Sequence, residues 1–119
     1  MDVSDVLKAS TQSLVEREVY LHQLVDQLRR SDVTRRRQDI VVSHVPHNTW
    51  SPVVAAAIES VCLELNEPTP EWTDVVSETP VFIPAVSSES VAAGVLRRVS
   101  PRSFSKRNVY VPANFMARC

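Results

Sequence analysis

The stretch Trp50-Ser-Pro-Val-Val-Ala-Ala-Ala-Ile-Glu-Ser-Val-Cys-Leu-Glu-Leu-Asn66 decides the fold of this chain. It predicts a helix over residues 50–66, with Pro52 in the first turn and Asn48 or Thr49 as the cap. Apolar residues recur on one side at three- and four-residue spacing, which is typical of a helix that packs on a core. They are Val54, Ile58, Val61, Cys62 and Leu65. This helix is therefore the best candidate for the centre of the core.

Prolines punctuate the chain after this helix. Pro68 and Pro70 end the helical pattern, and a short helix carrying Trp72 is expected next. The segments 81–83 and 109–111 are rich in β-branched and aromatic residues, but each is long enough only for a brief strand. The predicted class is therefore mainly α: a long N-terminal amphipathic helix followed by a small helical domain with one or two short strands.

A further helix is predicted from Ser87 or Ser88 to about Val99, where Pro101 prevents its continuation. Its apolar residues recur at three- and four-residue spacing and are expected to point inward. They are Val91, Val95, Leu96 and Val99.

The N-terminal residues 4–30 contain neither proline nor glycine and predict one long amphipathic helix that begins at Ser4. Leucine recurs every seven residues, and one further leucine adds to the same face. The residues are Leu7, Leu14, Leu21, Leu24 and Leu28. A coiled coil needs a second apolar position in each heptad, and most of these positions are polar here. The pattern leaves two alternatives open: the helix packs on its own domain, or it pairs with a partner chain.

Arginines cluster at the end of this helix and just beyond it. The chain is accordingly divided into the N-terminal helix 1–30, a basic connector 31–49 and a helical domain 50–119. The cluster comprises Arg29, Arg30, Arg35, Arg36 and Arg37. Such a cluster can neutralise phosphates or an acidic protein surface. No aromatic residues are interleaved for base stacking, and no helix-turn-helix pattern is visible. Trp50, at a helix start, is either a core residue or an interface anchor.

Composition argues against catalysis by this chain. Its 119 residues include one glycine, so glycine-rich phosphate loops and nucleophile elbows are absent. No Ser-His-Asp or Cys-His arrangement is readable. His44 and His47 lack the companions of a metal site, so no metal, cofactor or catalytic residue is predicted.

Cellular location follows from the apolar segments. The longest apolar run, 53–58, is too short to cross a bilayer, and no signal-peptide pattern is visible. We therefore expect a cytoplasmic protein without membrane contact. Cys62 lies in a helical apolar stripe and Cys119 is the last residue of the sequence, so no structural disulfide is expected.

A family resemblance covers roughly residues 50–115. Its residues are Cys62-Leu-Glu-Leu-Asn66, Pro68-x-Pro70-x-Trp72, Thr79-Pro-Val-Phe82, Leu96-Arg-Arg-Val-Ser-Pro101 and Phe104-Ser-Lys-Arg-Asn-Val-Tyr-Val111. This order is similar to a small domain of actinobacterial proteins, which stands alone or follows a helix-turn-helix in presumed regulators. Short proteins of this kind resemble the antitoxin-like partners of nucleotidyltransferase-type toxins. This chain lacks the preceding helix-turn-helix.

The resulting functional hypothesis is a non-catalytic interaction protein. The resemblance implies that it binds and neutralises a partner toxin encoded by a neighbouring gene. The leucine face, the arginine cluster and Trp50 are the expected partner contacts. The alternative is a dimeric, DNA-associated transcriptional regulator that dimerises through residues 4–30 and places its basic clusters on phosphates.

Overall fold

The computed structural model describes residues 1–9 and 12–118, with the side chain of Arg118 excepted. The protein is mainly α, as predicted, with two short strands. In chain order its helices are α1 (Val3–Lys8), α2 (Leu14–Arg30), α3 (Val33–Asp39), α4 (Trp50–Glu64), α5 (Val91–Val99) and α6 (Arg102–Ser105). Short 3₁₀ turns cover Glu71–Thr73 and Met116–Arg118. The strands are β1 (Val81–Phe82) and β2 (Val109–Tyr110).

Helix α4 lies at the centre of the core, as its sequence predicts. Almost every residue from Trp50 to Cys62 is buried. The helix begins where the Asn48 carboxamide oxygen accepts hydrogen bonds from the backbone N–H groups of Trp50 and Ser51. It ends because Asn66 adopts a left-handed φ of 56°. The N–H groups of residues 66 and 67 then bond back to the carbonyls of residues 63 and 62, which is a Schellman motif.

The N-terminal region is not the single long helix predicted over residues 4–30. Helix α1 ends at Lys8, and α2 begins at Leu14 with Ser13 as its N-cap. The N-cap of α1 is Asp2 rather than Ser4. Asp2 and Asp5 exchange side-chain-to-backbone hydrogen bonds in a capping box. The break lets α1 and α2 each contact α4, so the leucine repeat spans two helices.

The predicted basic connector also contains a helix, α3. Asp32 caps it by accepting a hydrogen bond from the backbone N–H of Arg35. The guanidinium of Arg36 donates to the carbonyls of Leu28 and Ser31, at the C-terminal end of α2. Helix α3 therefore docks through a polar side chain rather than an apolar stripe, which explains why apolar periodicity did not reveal it.

One principal core unites the segments that the sequence divided at residues 30 and 49. Most of its buried members come from α1, α2 and α4, and the others are Ile40, Ile83, Phe104, Val109, Val111 and Phe115. The strands pair in parallel, with Val81 opposite Val109 and Phe82 opposite Tyr110. Helix α5 lies on this strand pair through a second, smaller cluster around Phe82, Ala93 and Leu96.

Candidate protein-interaction surface

The predicted leucine contacts lie inside the protein. Leu7, Leu21, Leu24 and Leu28 are fully buried in the principal core, and Leu14 is half-buried. Of the two alternatives for the N-terminal region, packing on its own domain is the one that this structure displays. The leucine face therefore offers no surface to a partner or to a second copy in this fold.

Trp50 is likewise a core residue and not an exposed anchor. Its indole is buried, and the indole N–H donates to the carbonyl of Val6 at 2.9 Å. The guanidinium carbon of Arg17 lies 5.2 Å from the ring centroid, in cation–π geometry. Trp50 thus ties α4 to α1 and is unavailable as an interface residue.

The five clustered arginines all have a carboxylate of the same chain within 4 Å. The pairs are Arg29 with Glu64, Arg30 with Asp26, Arg35 with Asp39, and both Arg36 and Arg37 with Glu67. The carboxylates of residues 39 and 67 are largely buried beneath these guanidinium groups. A cation already compensated in this way gains less from a phosphate or an acidic partner. The main role of the cluster is therefore to stabilise the packing of α2 and α3, and it is a poor candidate for a binding site.

A second ion cluster, at the junction of α4 and α6, is also structural. The buried guanidinium of Arg107 donates to both oxygens of Glu59 and to the carbonyls of Thr73 and Ser103. Lys106 donates to the same carboxylate at 2.7 Å. Burial raises the pKa of Glu59, but the hydrogen bonds and charges of Arg107 and Lys106 outweigh it and hold this pKa below its ordinary value. A carboxyl held ionised by two cations is unsuited to general acid–base catalysis at neutral pH.

The outward side of helix α5 carries three exposed valines, one more than the exposed pair Val15 and Val19 on α2. The exposed fractions are 86% for Val91, 40% for Val95 and 40% for Val99. The prediction that these three valines point inward is wrong; only Ala93 and Leu96 are buried. The valines are four residues apart, so they form one line on the helix surface. Val91 is almost fully exposed, whereas the chain itself covers more than half of Val95 and Val99.

The inner side of α5 is already occupied. The guanidinium carbon of Arg97 lies 5.0 Å from the centroid of the Phe82 ring and 5.6 Å from that of Tyr110. Arg97 also donates to the carbonyl of Ser88, before the start of α5. These contacts and the burial of Leu96 hold the helix in place. Val91 and the exposed parts of Val95 and Val99 therefore take no part in attaching α5 to the core.

The one glycine of the chain, Gly94, is exposed beside this line of valines. Glycine in a helix interior costs about 0.5–1 kcal/mol relative to alanine. Its backbone has an ordinary negative φ, and a methyl group built at its Cα would meet no atom within 4 Å. The fold therefore does not require glycine here, whereas a partner backbone approaching α5 closely would.

Two uncompensated cations accompany the valines. Arg98 is on the same outward side of α5, and Arg102 begins α6 three residues beyond Val99. Among the cationic side chains that the structure describes, only Lys8, Arg98 and Arg102 have neither a carboxylate nor an aromatic partner. We call Val91, Gly94, Val95, Arg98 and Val99 the α5 face.

A cleft among the described residues is a second candidate site. The cleft at the start of α4 has a volume of about 250 Å³ and is lined by His47, Ser51 and Glu78, among others. The Ser51 hydroxyl already donates to the carbonyl of Pro46 at 2.6 Å, so it is not poised as a nucleophile. Residues 1–9 and 12–118 contain no group of three potential metal ligands and no helix that could span a membrane.

Cys62 is buried without a disulfide, and burial raises the pKa of its thiol, which makes it unreactive. Cys119 lies outside the described residues. Cys62 is a buried residue of α4, as its place in the helical apolar stripe predicts.

Comparisons with known proteins leave the family open. The chain matches no family model, no curated protein and no solved structure. The resemblance to an actinobacterial domain thus stays a prediction, and the function must be argued from the surface itself. The α5 face was not predicted, because Val91, Val95 and Val99 were placed on the inner side together with Leu96. The unneeded glycine was its one visible sign.

Proposed function

We propose that this protein is a non-catalytic interaction protein that binds another protein through the α5 face. The observation that carries the proposal is the line of three exposed valines on a helix whose opposite side is already packed. Exposed apolar residues that occur singly are ordinary on a protein surface, but an apolar line rimmed by polar residues marks an interaction site.

The recognition mode that suits this geometry is a helix laid into an apolar groove. Such helices present anchors about one turn apart, as Val91, Val95 and Val99 do. Burial of a valine side chain contributes roughly 1.5 kcal/mol. The valines that are already partly covered would gain less. The three anchors together supply a few kcal/mol, and Gly94 allows the groove wall to approach the helix backbone.

We further propose that the partner is encoded by a neighbouring gene and that binding neutralises it, as an antitoxin does. A nucleotidyltransferase-type toxin is the partner class that the sequence resemblance suggests. In this proposal Arg98 and Arg102 take the electrostatic role expected of the arginine cluster, because no carboxylate of the described residues pairs with them. A partner surface with carboxylates beside its groove would complement them.

The test is co-expression of this chain with the product of the neighbouring gene, followed by size-exclusion chromatography with light scattering. The wild type should form a stable complex and relieve the growth defect that the neighbour causes alone. The variant Val91→Asp/Val95→Asp should lose both effects, because it buries two charges in the apolar groove. Circular dichroism should show an unchanged fold, since both side chains point outward.

The matched control is Val15→Asp/Val19→Asp, which changes two exposed valines at the same spacing on α2. It should behave as the wild type does. Equal loss of binding in both variants, or none in either, would contradict the assignment of the α5 face. A harmless neighbour that forms no complex would overturn the antitoxin-like role. Steeply salt-dependent binding of duplex DNA by the wild type would instead favour the regulator.

A further inference from the structure

We infer that, in the free protein, the α5 face is covered by the α5 face of a second copy in antiparallel orientation. This inference deepens the proposed function, since it concerns the same face and names what occupies it before a partner does. It is nevertheless testable on this chain alone. The self-associated form is weak and gives way to the partner.

The first argument is the symmetry of the valine line. Val91 and Val99 lie equally far from Val95, at four residues on either side. In an antiparallel pair centred on Val95, the Val95 side chains meet on the twofold axis, and Val91 of each copy meets Val99 of the other. A twofold interface requires this kind of self-complementarity. Rows of residues four apart are also the commonest ridges in helix–helix packing.

The second argument is the charge at the two ends of the helix. Glu89 is exposed just before α5 and has no cation within 4 Å among the described residues. Arg98 and Arg102, without carboxylates, lie at the opposite end. Antiparallel pairing brings Glu89 of each copy towards the arginines of the other, whereas parallel pairing places like charges together. One copy thus carries an acidic group at one end of α5 and basic groups at the other, as an antiparallel pair requires.

The size of the face sets the strength of the pairing. A nine-residue helix is about 14 Å long and about 10–12 Å wide. That footprint is far smaller than the roughly 800 Å² that each partner contributes to an interface of standard size. We therefore expect a dissociation constant between about 10 µM and 1 mM. A heterologous groove that encloses α5 on three sides buries more surface and displaces the second copy.

Analytical ultracentrifugation from about 10 µM to 1 mM tests the association itself. The sedimentation coefficient of the wild type should rise with concentration. Val95→Asp should remain monomeric, while Val15→Asp should associate as the wild type does. The inference would be overturned if the wild type stayed monomeric at all concentrations. It would also be overturned if Val95→Asp and Val15→Asp weakened association equally.

Disulfide trapping tests the orientation without relying on a destabilising charge. In a Cys119→Ser background, Cys62 is buried, so an introduced cysteine is the accessible thiol. Val95→Cys should form a covalent dimer on oxidation. Val91→Cys alone should not, but it should cross-link with Val99→Cys. Cross-linking of Val91→Cys to itself would show parallel pairing and refute the antiparallel arrangement.

Charge exchange tests the ends of the helix. Glu89→Arg and Arg98→Glu should each weaken association by about 3-fold to 10-fold, and the double variant should recover most of the loss. Additive losses in the double variant would show that these residues do not face each other. If the wild type is monomeric but still binds the neighbouring gene product, only the inference of a second copy on the α5 face is refuted. A self-associating chain that ignores the neighbour would refute only the proposed function.

Discussion

Replacement of Gly94 by alanine should change the stability of the fold and the binding by the α5 face in opposite directions. The added methyl meets no atom within 4 Å, and the backbone φ is ordinary. The change should therefore raise the free energy of unfolding by about 0.5–1 kcal/mol, since alanine loses less conformational freedom in a helix. For a domain of this size, the melting temperature should rise by about 2–6 °C. Urea titration and thermal denaturation, both followed by circular dichroism, measure the two quantities.

The same variant should bind less well. A methyl added at Gly94, next to the point where the Val95 side chains of two copies meet, costs about 1–3 kcal/mol, so self-association should weaken about 5-fold or more. Ala92→Gly is the control for stability: it makes the reverse change two residues away and should destabilise the fold by a similar amount. A stabilised Gly94→Ala variant with undiminished association would show that the glycine marks no close approach. A Gly94→Ala variant that is less stable than the wild type would contradict the observation that a methyl group fits at this Cα.

Two further predictions concern the ion cluster at the α4–α6 junction. Arg107→Met should lower the free energy of unfolding by about 3–5 kcal/mol, because it leaves Glu59 buried without its main partner. Lys106→Met, which removes the exposed cation from the same carboxylate, should cost less than about 1 kcal/mol in the same denaturant titration; similar losses would refute the distinction. Because the pKa of Glu59 lies below its ordinary value of 4.5, its contribution is present above pH 4.5. It should disappear as pH falls through the lowered pKa, and Glu59→Gln should flatten this part of the stability–pH curve.

The comparison of α4 with α5 shows that apolar periodicity predicts a helix but does not always predict which side of it is buried. Both helices end within two residues of their predicted limits, but α5 begins at Val91 with Ser90 as its N-cap, and not at Ser87 or Ser88. In α4 nearly all sides are buried, so the assignment of an inner face could hardly fail. In α5 the short buried pair Ala93 and Leu96 opposes a longer apolar line, and a hydrophobic pattern does not state which of two apolar sides meets the core. Only the position of the strand pair decides this.

The arginine cluster shows a different limit. Five arginines between residues 29 and 37 look like a free basic patch when read locally. Three of the five use carboxylates at Glu64 or Glu67, which are about 30 residues away along the chain. Ion pairs of such separation leave no local signal, and neither does the hydrogen bonding that turns residues 33–39 into a helix. The break between α1 and α2 is different, because its caps are local: Ser13 is followed by Glu16 at the spacing of a capping box, so the sequence did carry a signal for this helix start.

The structure also indicates why α5 is suited to binding. The helix is attached to the domain by one small buried cluster and by the guanidinium of Arg97 stacked near two aromatic rings. These contacts use one side only, so most of the helix circumference remains available to a groove. A helix needed solely for the fold would be expected to carry polar residues on that remaining side. Val91 is 86% exposed and gains little within the monomer, and the exposed parts of Val95 and Val99 gain nothing there. Their presence, with a glycine that the backbone does not require, is accounted for if the outward side of α5 is normally covered.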